Sequence, residues 1–273
     1  MKQFQDMIIC TDLDGTLLRP DKSISKENLD AIRRFQEGGG YFTFITGRMP
    51  FFCHGIYNTL LPNAPVGCIN GGGLYDYVSE RYIWSTTIDK GVGRLVDDVL
   101  NEYPHIGVQI NTLDKIYFHR ENIVQEWFRK ITGVPNLVKN WWDIEEDFAK
   151  IVFGIADEKE LFGVAEMLKS HPDAPRYDFI RSEKTLFEIL PKGIHKGTVL
   201  SHLCEHLGVP LSRTVAIGDY NNDIGMIQTA GVGVAVENAL PEVKAVADFI
   251  STSNENHAIA RVIEALENGE ISF

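Results

Sequence analysis

The stretch that most constrains the fold is residues 7–18, where an apolar run ends abruptly at two carboxylates and a glycine. Residues 7–10, Met-Ile-Ile-Cys, have the continuous apolar character of a strand that is buried on both faces. Asp12 and Asp14 follow, and Gly15 permits a tight turn whose backbone N–H groups can receive an anion. Because ligands bind at the carboxyl ends of strands in open parallel sheets, this placement favours a functional site. An ordinary Asp-Gly turn is the alternative.

The pattern of buried strand and amphipathic helix repeats through the N-terminal part of the chain. A helix capped by Ser25 leads to a β-rich run at 41–46, and a second helix at about 49–60 leads to a short apolar strand at 66–70. Strands and helices that alternate in this way predict a parallel sheet with right-handed crossovers.

From about residue 82 the pattern changes, because the strands become more amphipathic and aromatic residues cluster. The predicted helices here are 90–102, 122–132 and 158–170, and the predicted strands are 106–111, 115–119, 149–156 and 185–190. Consecutive strands with helices between pairs predict an antiparallel sheet with helices on one side. The first pattern resumes near residue 191 with a helix at 196–207 and a strand at 214–218.

The predicted fold is therefore an α/β protein with a doubly wound, Rossmann-like parallel-sheet core, interrupted by an inserted α+β cap domain. The core domain is discontinuous and comprises residues 1–82 and 191–273. The inserted domain comprises residues 83–190. A length of 273 residues is compatible with two domains of this kind.

Composition restricts the classes of partner and the compartment. The chain has 26 basic and 38 acidic residues, and a net charge of −12 disfavours nucleic acid and anionic membranes as partners. Its four cysteines form no CxxC pair, as in proteins of a reducing compartment. The first residues lack the apolar core of a signal peptide, and no run of 18 apolar residues occurs. We therefore expect a cytoplasmic protein.

Polar side chains stand at four points where a predicted strand ends or a helix begins. They are Asp12 with Asp14, Thr46, Lys196, and the segment 219–223, Asp-Tyr-Asn-Asn-Asp. If the strands are neighbours, these carboxylates converge and repel one another unless a hard cation neutralises them, and oxygen ligands suit Mg²⁺. A lysine and a threonine hydroxyl beside such a cation form a cradle for a phosphoryl group.

The same residues carry a resemblance to a known family. The segments Asp12-Leu-Asp-Gly-Thr16, Thr46-Gly-Arg48, Lys196-Gly197 and Gly218-Asp-Tyr-Asn-Asn-Asp223 resemble, in order, the four motifs of the haloacid dehalogenase-like superfamily. The similarity is closest to its Cof-type phosphatases, because of Asn70-Gly71, the insertion between the second and third motifs, and Val234-Ala-Val-Glu-Asn-Ala239. It spans the whole chain.

The resemblance implies a catalytic role for each of four residues. Asp12 is expected to be the nucleophile that forms an aspartyl-phosphate. Asp14 is expected to protonate the leaving alcohol and then to activate the hydrolytic water. Thr46 and Lys196 are expected to hold the phosphoryl oxygens and to balance their charge.

The resemblance also implies binding residues. Backbone N–H groups near Leu13 and Gly71 are expected to help Thr46 and Lys196 hold phosphate. The metal set for Mg²⁺ comprises Asp12, the backbone carbonyl of Asp14, Asp219, Asn222 and Asp223. Within this set, Asn222 and Asp223 are expected to orient the other ligands or Lys196. The sequence leaves open whether either residue touches the metal directly or through water.

Asp14 distinguishes between reactions, because a halide leaves without a proton whereas an alkoxide needs one. The predicted function is a Mg²⁺-dependent phosphatase for small phosphorylated metabolites such as sugar phosphates, pyridoxal phosphate or flavin mononucleotide, with the inserted domain closing over the site. A phosphomutase on the same scaffold and a non-catalytic metabolite-binding protein are the alternatives. The residues do not choose the metabolite or the oligomeric state.

Several further residues have competing interpretations. His202-Leu-Cys-Glu-His206 matches the H-x-x-E-H pattern of some zinc peptidases, but the apolar stripe of its helix places these side chains on the opposite, solvent-facing side. Arg48 is expected either to contact substrate or to pair with a surface carboxylate. Arg181 and Glu188 are candidates for substrate contacts in the inserted domain, although packing of its sheet explains both.

Overall fold

The computed structural model of this protein describes residues 3–273. The strands are β1 Ile8–Thr11, β2 Tyr41–Phe44, β3 Val66–Cys68, β4 Gly73–Asp76, β5 Arg81–Ser85, β6 Gly107–Asn111, β7 Ile116–Arg120, β8 Lys150–Gly154, β9 Tyr177–Glu183, β10 Leu186–Pro191, β11 Thr214–Gly218, β12 Val232–Ala235 and β13 Phe249–Ile250. The helices are α1 Lys26–Glu37, α2 His54–Leu60, α3 Gly93–Glu102, α4 Ile123–Thr132, α5 Glu158–Ser170, α6 Lys196–Leu207, α7 Ile224–Thr229, α8 Pro241–Lys244 and α9 Ala258–Glu267.

The chain divides into two compact units. The first runs to Ser85 and resumes at His195, and the second is Thr86–Ile194. The predicted limits of the insertion, 83 and 190, lie a few residues away. Strand β5 pairs antiparallel with β4, and this pairing keeps residues up to Ser85 in the first unit.

The first unit contains a parallel sheet in the order β13-β12-β11-β1-β2. Strand β1 lies between β11 and β2, with Thr11 in register with both Ile217 and Phe44. The three strands therefore end at the same edge of the sheet, and the residues that follow them are brought together there. The predicted α/β fold with a parallel sheet is confirmed.

Both faces of this sheet are buried, as the apolar character of the strands predicts. Ile9 packs in a cluster with residues of α1 and α9, among them Phe35 and Ile259. The next residue, Cys10, faces the opposite side and packs with Leu200 of α6. Alternation of side chains along a strand therefore places β1 between two helical layers.

The expectation for residues 66–70 is only partly right. The strand β3 pairs antiparallel with β4 in the sheet β3-β4-β5, and it touches the parallel sheet through a single parallel bridge between Ile45 and Gly67. A short apolar run signals a buried strand but not the direction of its partner, and the hairpin partner here is supplied by the next segment of chain.

Two predicted helices begin with a separate turn. The segment 49–60 divides at Cys53 into the 3₁₀ turn Pro50–Phe52 and α2, and the segment 90–102 begins with the 3₁₀ turn Lys90–Val92 before α3. Over residues 3–273 we find no helix with the length and apolar character needed to cross a membrane.

The second unit is an antiparallel sheet in the order β7-β6-β8-β10-β9, with α3 and α5 packed on one face. The predicted α+β layer is therefore confirmed, although the edge strand β9 was not predicted. On the sheet, Glu188 forms a buried ion pair with Lys150 at 2.9 Å, and Arg181 pairs with Glu158 at 3.0 Å. These pairs support the packing interpretation of Glu188 and Arg181.

Candidate active site

Asp12 lies directly after β1, at the edge where β1, β2 and β11 end. Its backbone N–H donates to the carbonyl of Ile217 at 2.8 Å, so the parallel pairing continues one residue beyond the strand. The residue is 7% exposed. Burial raises the pKa of Asp12 well above its usual value, and nearby carboxylates, chiefly Asp223 and Asp219, add to this although Lys196 opposes it. Positive charge close to Asp12 therefore favours its ionised form.

Lys196, the first residue of α6, supplies part of that charge. Its side chain is fully buried, and its Nζ donates to Oδ1 of Asp12 at 2.5 Å and to Oδ1 of Asp223 at 2.6 Å. Burial alone would lower the pKa of Lys196, but the two carboxylates outweigh burial and raise it. The ammonium group is therefore held in its charged form between the ends of β1 and β11.

The loop after β11 is organised by Asp223. Its Oδ2 accepts the backbone N–H groups of Asp219 at 2.9 Å and Tyr220 at 3.0 Å, while its Oδ1 accepts from Lys196. A Cβ at Gly218 would overlap the Asp223 side chain, so glycine is required there. Both oxygens of Asp223 are thus used to shape the loop and to hold Lys196.

Asp219 completes the acidic cluster from the other side. The hydroxyl of Thr16 donates to its Oδ1 at 2.6 Å. Burial raises the pKa of Asp219, and repulsion by Asp223 raises it further. A Cβ at Gly15 would overlap the Asp219 carboxylate, and Gly15 has φ +84°, so only glycine suits this turn.

These residues fit one hard divalent cation. One carboxylate oxygen from each of Asp12, Asp219 and Asp223 lies within 4.8 Å of the other two. Three carboxylates and the one ammonium of Lys196 leave two negative charges, which one divalent ion would neutralise. Oxygen donors of this kind suit Mg²⁺. Because Asp223 is already fully hydrogen-bonded, Asp12 and Asp219 are the better direct ligands.

Asp14 is held apart from this cluster by two cations. Arg48 donates from Nε to Oδ2 at 2.8 Å and from Nη2 to Oδ1 at 2.6 Å, and Lys22 Nζ donates to Oδ1 at 2.7 Å. Burial would raise the pKa of Asp14, but the hydrogen bonds and charges of Arg48 and Lys22 outweigh it, so the pKa is lowered. Asp14 is therefore ionised at neutral pH in this arrangement.

Thr46 follows β2 at the same edge of the sheet and is 2% exposed. Its backbone is fixed by an N–H donated to Gly67 at 3.0 Å and by a carbonyl that accepts from Asn70 at 3.1 Å. The hydroxyl oxygen accepts the backbone N–H of Arg48 at 3.3 Å. That bond orients the hydroxyl and leaves its hydrogen able to donate to an anion.

Asn70 and Gly71 connect the end of β3 to the same site. Asn70 has φ +53°, and its Oδ1 accepts Nδ2 of Asn222 at 2.9 Å. Gly71 has φ +103°, and a Cβ there would overlap the backbone carbonyl of His195, so this turn packs directly against the start of α6. Leu13 has its side chain buried in the core, so any contact with phosphate is made by its backbone.

The structure thus brings the side chains of Asp12, Lys196, Asp219 and Asp223 into one cluster and orients Asn222 through Asn70. Sequence reasoning missed Lys22 and Thr16 and left Arg48 undecided. Arg48 and Thr16 stand within the motif segments already noted, so their position was a usable signal. Lys22 lies in an exposed turn and gave no signal, because only folding of the turn carries its ammonium to Asp14.

The H-x-x-E-H segment of α6 lies away from this cluster on the helix surface. His202 stacks on Trp84 with ring centroids 4.0 Å apart and contacts Glu205 at 3.4 Å, and Glu205 and His206 are exposed. These partners agree with the solvent-facing interpretation of the segment.

Comparison with known proteins agrees with these motifs. Residues 9–263 match the family of haloacid dehalogenase-like hydrolases. The chain is 30% identical to the 5-amino-6-(5-phospho-D-ribitylamino)uracil phosphatase YwtE of Bacillus subtilis (strain 168), over 96% of this chain and 98% of that protein. It is 27% identical to the pyridoxal phosphate phosphatase YbhA of Escherichia coli (strain K12), over 94% of this chain and 97% of that protein.

A solved structure shows the same fold. A haloacid dehalogenase-like hydrolase from Bacteroides thetaiotaomicron superposes with a TM-score of 0.81 at 27% identity, covering 95% of this chain and 99% of that chain. The family match covers nearly the whole sequence, and the related enzymes are phosphatases. This chain belongs to the haloacid dehalogenase-like hydrolases and is a phosphatase of the Cof type.

Proposed function

We propose that this phosphatase hydrolyses phosphate monoesters of small metabolites with Mg²⁺, through an aspartyl-phosphate on Asp12. The observation that carries the proposal is the buried cluster in which Lys196 Nζ lies 2.5 Å from Asp12 Oδ1 and Asp219 lies close enough to share a cation. A carboxylate so placed is held as a nucleophile, because neutralisation of its surroundings permits approach of an anionic phosphoryl group.

The proposed reaction has two steps. In the first, an Asp12 oxygen bonds to phosphorus while the ester P–O bond breaks, and the alcohol leaves with a proton from Asp14. In the second, Asp14 takes a proton from water, whose oxygen bonds to phosphorus as the bond to Asp12 breaks and phosphate is released. Lys196 balances the charge on Asp12 and the phosphoryl oxygens, and the Thr46 hydroxyl donates to one of those oxygens.

The remaining predicted site residues position this chemistry. Backbone N–H groups at Leu13 and Gly71 would donate to the phosphoryl oxygens. Asp12, the Asp14 carbonyl and Asp219 would hold Mg²⁺, with Asn222 and Asp223 orienting the site around it. When bound, the cation neutralises the carboxylates and phosphoryl oxygens, which lowers the cost of bringing anions together.

The two cations on Asp14 impose a condition on the first step. Arg48 and Lys22 favour its ionised form, whereas donation to the alcohol needs the protonated form. A phosphoryl dianion beside Asp14 raises its pKa by repulsion and competes for the same cations. Substrate binding is therefore what prepares Asp14 to act as an acid.

Replacing Asp14 with Asn tests this role through the leaving group. With p-nitrophenyl phosphate, whose phenolate needs no proton, the first turnover should persist as a burst of nitrophenolate while steady-state turnover falls. With an alkyl phosphate, both steps need Asp14, and we expect a loss of about 10²–10⁴-fold. Stopped-flow absorbance and phosphate release measure the two cases.

Asp21→Asn provides the matched control, since Asp21 lies in a neighbouring exposed turn and bonds only to Ser23 among the contacts we observe. It should leave both rates unchanged. If Asp14→Asn lowered turnover of the two substrates equally and gave no burst of nitrophenolate, Asp14 would have no acid–base role.

The related enzymes support a substrate class, because they are named for phosphate esters of a ribityl-uracil and of pyridoxal. We propose that this chain acts on the same kind of molecule, a small alcohol phosphate. A panel of 5-amino-6-(5-phospho-D-ribitylamino)uracil, pyridoxal phosphate, flavin mononucleotide and sugar phosphates, assayed for free phosphate with Mg²⁺ and with EDTA, decides the question. Activity that survives EDTA, or phosphate moved within a sugar without release, would contradict the proposal.

A further inference from the structure

Helix α4 of the second unit carries an apolar stripe that faces outward. Ile123, Trp127 and Ile131 are 72%, 60% and 58% exposed. Residues four apart lie one above another on a helix, so the three side chains form one continuous strip along the outer side of α4. Scattered single apolar residues are normal at a surface, but an ordered strip with a tryptophan at its centre is typical of a contact site.

The side of α4 that faces the sheet is anchored by polar groups. Gln125 is 1% exposed and its Nε2 points to the carbonyl of Val152 at 3.5 Å, while Nδ2 of Asn122 donates to the carbonyl of Gly154 at 2.8 Å. A Cβ at Gly107 would overlap the Asn122 side chain, so glycine allows this close approach. Val124 also packs toward the sheet at Gly154, but the fully buried residue of α4 is the polar Gln125. The outer apolar stripe therefore contributes little to folding of the unit.

Two charged residues beside the stripe indicate the charge pattern that a partner surface must have. Glu126 and Lys130 are both exposed, stand one turn apart, and border the same side of the stripe. Arg129 lies further round the helix and is paired within the chain to Glu121 at 2.5 Å. The exposed pair therefore gives one flank of α4 an acidic end followed by a basic end.

We propose that α4 pairs antiparallel with α4 of a second copy of this chain, in a two-fold symmetric homodimer. A two-fold axis perpendicular to both helices reverses their direction but keeps the same flank of each on the same side. Glu126 then lies opposite Lys130 of the second copy at two equivalent places. Trp127 packs on its own counterpart, and Ile123 packs opposite Ile131 of the second copy. The surface is complementary to itself, as an isologous interface requires.

The same features argue against a lipid surface as the occupant. The helix that would lie on the membrane has equal numbers of acidic and basic residues beside its stripe, and the whole chain has a net charge of −12. Interfacial helices bind anionic membranes through an excess of unpaired Lys and Arg. On α4, Arg129 is paired with Glu121, which leaves one basic residue, Lys130, and one acidic residue, Glu126, beside the stripe.

Sedimentation velocity of the full chain across about 1–200 µM is the experiment. The wild type should pass from the 30.7 kDa monomer to a species of twice that mass. Trp127→Glu, which places charge at the centre of the stripe, should raise the dissociation constant at least about tenfold. Phe162→Glu is the matched control, because Phe162 is a 56% exposed aromatic residue on α5 of the same unit, outside α4, and its loss should change nothing.

Charge exchange distinguishes this dimer from other assemblies. Glu126→Lys sets like charges opposite one another and should weaken dimerisation, and Glu126→Lys combined with Lys130→Glu should restore it. A protein that stays monomeric at every concentration would overturn the proposal, as would a dimer insensitive to Trp127→Glu. Binding to phosphatidylserine vesicles that Glu126→Lys strengthens, without dimerisation, would assign the stripe to membranes and overturn it as well.

Discussion

Replacing Asp12 with Asn should abolish phosphate release while the protein remains folded. The amide is nearly isosteric with the carboxylate but cannot form the proposed phosphoryl ester, so we expect a loss of at least about 10⁴-fold in kcat. The fold should survive, because burial and neighbouring carboxylates already disfavour a charge at Asp12 and Lys196 keeps its second partner, Asp223, at 2.6 Å. Phosphate release with Mg²⁺ and thermal unfolding by circular dichroism measure the two effects.

A matched variant separates loss of the nucleophile from loss of a buried charge. Asp223→Asn also removes one carboxylate next to Lys196, but it leaves the Asp12 oxygens in place. It should retain more activity than Asp12→Asn. If Asp12→Asn kept turnover within tenfold of the wild type, Asp12 would not be the nucleophile, and the covalent route would have to be abandoned.

Replacing Lys196 with Met should lower both activity and stability. The ammonium group lies between Asp12 and Asp223 with no exposed surface, and its removal leaves two buried carboxylates without that partner. Breaking a buried ion pair in this way costs about 3–5 kcal/mol. The phosphoryl group also loses a balancing charge, so kcat/KM should fall about 10³-fold or more. Chemical denaturation and steady-state kinetics provide the readouts.

Mg²⁺ should stabilise the Lys196→Met variant more than it stabilises the wild type. A site with one more uncompensated negative charge gains more from a divalent cation, so Mg²⁺ should raise the Tm of Lys196→Met by more than it raises that of the wild type. Lys26→Met serves as the control, since Lys26 is 83% exposed and its ion pair with Asp30 lies at the surface. Similar Tm changes for both lysine variants would indicate that Lys196 is not the central charge of the cluster.

Elements with strong local signals were predicted nearly to the residue. The helix 196–207 and the strand 214–218 coincide with α6 and β11, and the helix 158–170 coincides with α5. Each has a cap or a glycine at its boundary and a clear periodicity within, so neighbouring residues alone define it. The carboxylates after β1 and β11 could be placed at one edge for the same reason, because parallel strands share a direction.

Elements defined by distant partners were predicted poorly. Strand β9 has the sequence Tyr-Asp-Phe-Ile-Arg-Ser-Glu, whose mixed polarity fits an edge strand that depends on pairing with β10. The direction of β3 likewise follows from its hairpin with β4. Neither pairing can be derived from periodicity, because the pattern of residues within one strand does not determine which strand it pairs with.

The residues themselves determined the chemistry: two carboxylates two apart after a buried strand, a lysine that opens a helix, and acidic groups after another strand imply a cation and a phosphoryl group. The tertiary structure decided how those groups are balanced. Arg48 and Lys22 come from separate turns to bind Asp14, and Asp223 turns both oxygens toward Lys196 and the loop backbone. Electrostatic balance depends on distances of a few ångströms between remote segments, and only the folded chain sets those distances.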